Sequence, residues 1–116
     1  MQFNDQTLAH LNRLQPRAAA LGFQLINAMR AAGIPAHISS GRRTHAEQAS
    51  LVQRGASKTM QSKHVDGRAF DIDILGYGRD DLPKWWWLQV GQYAERLGLR
   101  WGGRWTSFYD AGHFET

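Results

Sequence analysis

The segment Arg68-Ala69-Phe70-Asp71-Ile72-Asp73-Ile74 alternates in polarity along its length. Successive side chains of an extended strand point to opposite faces. Phe70, Ile72 and Ile74 therefore share one face, and Ala69, Asp71 and Asp73 the other. Such a strand buries an apolar face while holding two carboxylates on its reverse. The chain around it must supply a core on one side and a reason for acidic groups on the other.

The remaining pattern provides the core. Asp5 or Thr7 is placed to cap a short helix running to about Leu14, and Pro16 suits the first turn of a second. In that second helix Ala18, Leu21, Leu25, Ala28 and Ala32 recur at helical spacing, with Gly33 as a stop. Ile34 to Ser40 reads as a strand, begun by Pro35 and ended by Gly41. Thr44-His45-Ala46-Glu47 has the capping-box pattern and starts a helix reaching about Gln53. Gly55 to Lys63 reads as an exposed loop and Gly76 to Asp81 as a turn. Pro83 opens a helix with Trp86, Val90, Tyr93 and Leu97 on one face and Gly98 at its end. From Leu99 to Glu115 the chain reads as short strands joined at Gly102-Gly103 and Ala111-Gly112. The expected class is α+β, with helices packed on a small antiparallel sheet. At 116 residues the whole chain, 1–116, is expected to be one domain.

Composition narrows the chemistry. There is no cysteine, so a transition metal would have to be held by His, Asp or Glu. The net charge of +4 favours anionic surroundings such as nucleic acid, an anionic membrane or an anionic cell wall. No helix-turn-helix, zinc-finger or aromatic RNA-binding signature is present, so nucleic acid is not an expected partner. No apolar run has the length of a membrane helix. The opening residues, Met1 to Gln6, lack a basic segment followed by an apolar stretch, so no secretory signal is expected.

Three pieces of sequence gather ligand-type residues: Ser62-Lys63-His64-Val65-Asp66-Gly67-Arg68-Ala69-Phe70-Asp71, Trp101-Gly102-Gly103-Arg104-Trp105, and Asp110-Ala111-Gly112-His113-Phe114-Glu115. Two imidazoles and a carboxylate leave one position open on a tetrahedral zinc. Hydrolysis also needs a carboxylate to take a proton from water and a cation where negative charge develops. Asp110 is the candidate base, with Glu115 in reserve because it shares a strand face with His113. Arg43 is the candidate cation. Each has a plainer reading: Asp110 as a turn residue, Arg43 as a helix-start residue, Asp71 as a solvated strand carboxylate. Asp73 is read as a supporting or exposed group. The run Trp85-Trp86-Trp87 reads as packing, although five tryptophans also suit a groove for sugar or peptide.

The string Ser-x-His-x-x-Gly-x-Ala-x-Asp, here Ser62 to Asp71, resembles the hallmark of the zinc D-alanyl-D-alanine carboxypeptidases of the VanY type and of the phage L-alanyl-D-glutamate endopeptidases. Ser40-Gly41-Arg42-Arg43-Thr44 with Glu47-Gln48 resembles the family's upstream elements. The closing Trp-Gly-Gly-x-Trp and Asp-x-x-His-Phe-Glu resemble its endolysin branch. The resemblance spans about Ile34 to Glu115. It implies one zinc per chain held by His64, Asp71 and His113, with Asp110 as general base and Arg43 as oxyanion partner. It also implies Ser62 and Gln48 as substrate-binding or supporting contacts, and the α+β fold shared with the hedgehog signalling domain. Two positions depart from relatives: Asp110 stands where many carboxypeptidases carry Glu, and Arg42 where an aromatic is common.

The expected function is a monomeric metallopeptidase cutting peptidoglycan stem peptides between L-Ala and D-Glu. It would be made in the cytoplasm and act on the cell wall after release, or act as part of a phage particle. Removal of terminal D-Ala, and a non-catalytic zinc-stabilised wall-binding module, are the alternatives.

Overall fold

A computed structural model describes residues 5–57 and 59–116. Its elements are α1 (Asp5–Arg13), α2 (Pro16–Ala31), β1 (Ala36–Ser40), α3 (His45–Gln53), β2 (Ala69–Ile74), α4 (Lys84–Leu97), β3 (Arg100–Trp101) and β4 (His113–Glu115). Short 3-10 turns occupy Arg79–Asp81 and Gly102–Arg104. The signal reading of residues 1–4 lies outside the described residues. No helix among those described is long and apolar enough to cross a membrane.

The four strands form one sheet in the order β1-β2-β4-β3, antiparallel at every pairing. The fold class is thus α+β, as expected. β2 is central, and its alternation sets the two faces. Phe70 and Ile72 are fully buried and pack with Leu25 and Ile26 of α2, Trp87 of α4 and Phe114 of β4 in the core. Register does the rest. Phe70 lies opposite Phe114, and Asp71 lies opposite His113. Directly opposed residues project to the same face about 5 Å apart. One pair therefore enters the core, and the other stands on the reverse face.

Local signals mostly act where the sequence places them. Thr44 Oγ1 accepts the Glu47 N–H at 3.1 Å while Glu47 Oε1 accepts the Thr44 N–H at 2.9 Å, completing the capping box. Gly98 ends α4 in the left-handed region. Three expectations need correction. Thr7 is not a cap: it is fully buried, and its hydroxyl accepts the Ile38 N–H at 3.1 Å, tying α1 to β1. Along α2 the buried face runs through Gly22, Ile26 and Met29 as well as Ala18, Leu21 and Leu25, whereas Ala32 is exposed beyond the helix end. On α4 the buried face is Trp87, Val90, Gly91 and Ala94, with Trp86 and Leu97 partly buried and Tyr93 exposed. The small residues at 91 and 94 let the helix lie close to the core, and a search for large apolar residues passes over them.

Candidate metal centre

His64 projects from the turn 62–67 that precedes β2. Ser62 Oγ accepts the His64 N–H at 3.2 Å, and the His64 carbonyl accepts the Arg43 N–H at 3.0 Å. Gly67 closes the turn at φ +73, where a side chain would be strained. The His64 ring is fixed by Nδ1, which lies 2.7 Å from the Gly41 carbonyl oxygen. A carbonyl only accepts, so Nδ1 carries the hydrogen and Nε2 presents a lone pair. On β4, His113 Nε2 lies 2.7 Å from Glu115 Oε1, which leaves Nδ1 as the inward lone pair.

These lone pairs meet Asp71. His64 Nε2 is 3.2 Å from Asp71 Oδ1 and 3.2 Å from His113 Nδ1, and His113 Nδ1 is 3.1 Å from Asp71 Oδ1. All three residues are buried. With both ring hydrogens directed outward, three acceptors converge with no donor among them, and the arrangement calls for a cation. A tetrahedral ion bound at zinc distances separates its ligand atoms by about 3.3 Å, close to the spacing seen. The donor set therefore fits a metal. Without one, a proton takes the place: burial works against a charged His113, but hydrogen bonds to Asp71 and Glu115 outweigh it and raise its pKa to about 9. Burial likewise opposes an ionised Asp71, and hydrogen bonding with His113 and His64 around that one proton reverses this, holding its carboxyl well below the usual range. The Trp105 ring lies 4.8 Å from that of His113.

Asp110 borders the same cleft, half buried. Burial first, and repulsion from Asp71 second, raise its pKa above the ordinary carboxylate value. Its Oδ1 accepts from Arg79 Nη1 at 2.9 Å, while Arg79 Nε donates to Asp73 Oδ1 at 2.9 Å. Arg79 is itself anchored through its carbonyl, which accepts the Trp87 indole N–H at 3.1 Å. The Ala111-Gly112 pair is more than a flexible spacer. A Cβ on Gly112 would lie 2.7 Å from the Arg79 guanidinium and 2.7 Å from the Ile72 carbonyl oxygen. A Cβ on Gly102 would run into the Asp110 carbonyl oxygen. Close approach of chains, rather than a turn conformation, requires glycine at both.

Arg43 lies on the other side of the trio. Nη2 donates to Asp71 Oδ2 at 3.2 Å and Nη1 to Gln48 Oε1 at 3.1 Å. Gln48 is fully buried, and its amide nitrogen donates to Ser57 Oγ at 2.8 Å and to the Thr59 carbonyl at 2.6 Å. It does not line the cleft, and its side chain reaches Arg43 instead. Arg43, Ser62, His64, Asp110, His113 and Glu115 all line one open cavity of about 360 Å³. The sequence reading missed Arg79. It lies in a polar turn with no periodicity, and only its two acidic partners in space mark it. Asp73, read as supporting or exposed, is one of those partners. Glu115, the reserve base, is engaged by His113.

Fold and site together define a class of protein: a small antiparallel sheet with a helical core on one face and a buried His-Asp-His trio, flanked by a carboxylate and an arginine, on the other. The chain belongs to the D-alanyl-D-alanine carboxypeptidase family of M15 peptidases, whose family model matches residues 55–116. It is 32% identical over 120 residues to the L-alanyl-D-glutamate peptidase of Listeria phage A118, covering 97% of this chain and 41% of that protein. It is 30% identical over 102 residues to the peptidoglycan L-alanyl-D-glutamate endopeptidase CwlK of Bacillus subtilis strain 168, covering 72% of this chain and 61% of that one. The chain thus spans less than two thirds of the length of either curated relative. The crystal structure of the Serratia marcescens L-Ala D-Glu endopeptidase ChiX superposes with a TM-score of 0.76 at 26% identity, covering 99% of this chain and 89% of that one.

Proposed function

We propose that this chain is a zinc peptidase that hydrolyses the stem peptides of peptidoglycan between L-Ala and D-Glu. The observation that carries the reading is the convergence of three lone pairs from His64, Asp71 and His113 beside Asp110 in one open cleft. The relatives named for L-alanyl-D-glutamate cleavage support the choice of bond. One zinc per chain, held by His64 Nε2, Asp71 Oδ1 and His113 Nδ1, would supply Lewis acidity to the carbonyl under attack and acidify water.

The chain's own residues do the rest. Asp110 accepts the proton of the attacking water as the new C–O bond forms, and returns it to the departing amine as the C–N bond breaks. Its raised pKa suits both halves of that exchange, and Arg79 keeps the carboxylate aimed. Arg43 offers its guanidinium where negative charge develops on the carbonyl oxygen, with Gln48 holding it in place. Ser62 contacts the substrate from the cleft wall. The reading is of a monomer, with peptidoglycan rather than nucleic acid as partner. The peptidoglycan named for CwlK supports a place of action at the cell wall, and the route we propose is release from the cytoplasm or carriage as part of a phage particle.

The family's own description favours a second reading, removal of terminal D-Ala. Digestion of purified peptidoglycan with and without chelator, beside zinc quantitation, tests the proposal. Near one zinc per chain, activity lost to chelator and restored by zinc, and new D-Glu amino termini by mass spectrometry are expected. Release of D-Ala alone would select the second reading, and stoichiometric zinc without cleavage would select a binding module.

A further inference from the structure

The cleft over the metal centre does not end at Asp110. A second cavity of about 540 Å³ opens beyond it, and the two share Ala56, Phe108 and Asp110 as lining. Phe108 and Tyr109 wall this second cavity, and the two residues are 39% and 40% exposed. Phe108 is the one non-glycine residue at positive φ among the described residues, at 55°. A bulky side chain is disfavoured there, and the conformation brings Phe108 into the lining of both cavities. Lys84 Nζ lies 4.7 Å from the Tyr109 ring centroid, and Lys84 and Asp80 also line the space. Part-exposed aromatic rings beside charged hydrogen-bonding groups suit a ligand with an apolar face and a polar rim. A pyranose ring is built that way, with C–H faces and hydroxyl edges.

Both cavities carry two cations beside two carboxylates, Arg43, Lys63, Asp110 and Glu115 in the first and Arg79, Lys84, Asp80 and Asp110 in the second, so the aromatic wall rather than charge marks the second for a sugar. The L-Ala half of the L-Ala–D-Glu bond is joined directly to the lactyl group of N-acetylmuramic acid. A sugar therefore lies one residue from the bond to be cut, on the side away from D-Glu. We infer that the cavity beyond Asp110 is a saccharide subsite, receiving the N-acetylmuramyl ring of the glycan strand against Phe108 and Tyr109. This deepens the L-Ala–D-Glu reading and rests on it.

The test compares two substrates of the zinc-loaded protein: a muropeptide carrying the sugar, and the same peptide with an acetyl cap in its place. The wild type should cleave the muropeptide with kcat/KM about tenfold higher, expressed mainly in KM, the size of effect one good aromatic contact gives. Phe108→Gly, which keeps the backbone conformation and removes the ring, and Tyr109→Ala should bring that ratio close to one. Hydrolysis of the capped peptide by the Tyr109→Ala variant should stay near its wild-type rate, and for Phe108→Gly, a position that also lines the catalytic cavity, the ratio of the two substrates is the readout. A wild-type ratio near one, or equal losses on both substrates, would overturn the subsite. A second measurement is independent of turnover: N-acetylmuramyl-L-Ala, which lacks the scissile bond, is titrated and followed by NMR. Shifts at residues 79–84 and 108–109, beside those expected at the trio where the L-Ala carboxyl sits, support the subsite even where neither substrate is cleaved. No shifts at millimolar probe, or shifts at the trio alone, refute it, whereas failure to cleave either substrate counts only against the peptidase reading.

Discussion

Glu115 sits two residues from His113 on β4, and its carboxylate oxygen lies 2.7 Å from His113 Nε2. That contact fixes which ring nitrogen faces the trio, the role of an outer carboxylate in carboxylate–histidine–metal chains. Glu115→Gln should therefore weaken zinc binding by about 10–100-fold, measured by competition with a chromophoric chelator. At saturating zinc, turnover should be largely recovered. A variant with unchanged zinc affinity and no turnover would make Glu115 the base in place of Asp110. The same residues set a pH dependence. Without metal, His113 is raised from 6.5 to about 9, so between these values the folded chain holds a proton that the unfolded chain has released. The stabilisation from that proton is complete below 6.5 and is lost as pH rises through about 9. Zinc must displace the same proton, so its apparent affinity should rise about tenfold per pH unit across neutrality and level off near 9. Calorimetry in buffers of different ionisation heat, showing about one proton released per zinc at neutral pH, checks this. No release would mean that the metal-free trio carries no proton.

At the scale of elements, β2 was legible because a two-residue period is visible in seven residues, and α3 because a capping box is a local code. The α4 face was not, because part of what it buries is small. Gly91 shows why. Helix propensity alone says that Gly91→Ala should stabilise by about 1 kcal/mol. In the fold a Cβ there would run into the Trp101 indole, whose Nε1 donates to the Ala111 carbonyl at 2.7 Å beside the site. Overpacking of this kind costs about 1–3 kcal/mol, so the substitution should lower stability in urea denaturation despite the better propensity. The turn Arg79–Asp81 was legible as a turn and silent about its role. Its arginine acts on Asp110 through space, between positions 31 residues apart. Arg79→Met should leave zinc content intact and move the acid limb of kcat/KM to higher pH. The opposing charge would be gone, while burial and repulsion from Asp71, which already raise Asp110, would remain. An unchanged pH profile would reduce Arg79 to a structural tie.

Across the whole molecule, the His64, Asp71 and His113 trio draws on the turn before β2, on β2 itself and on β4, while the apolar core lies on the other face of the sheet under α2 and α4. Motifs in the sequence point to His64, Asp71 and His113 but not to how they meet, because Asp71 and His113 come together only through the β2–β4 register. That division predicts how the protein answers to loss of metal. Small zinc domains that lack a core unfold when stripped. Here Leu25, Ile26, Phe70, Ile72, Trp87 and Phe114 remain buried together whether or not the reverse face holds a cation. Zinc should therefore add stability by mass action, about 2.7 kcal/mol at a hundredfold excess over Kd, without being required for folding. Hydrogen exchange on chelated protein should show faster exchange at residues 62–68 and 110–116. Protection should persist in α2, α4 and at the β1–β2 pairing, where Ile38 faces Ile72. Global loss of protection on chelation would mean that the core cannot stand alone and that the metal centre is part of the fold itself. Selective loss would mean that the site is carried by a scaffold already complete, leaving its ligands free to be changed one at a time without unfolding the protein.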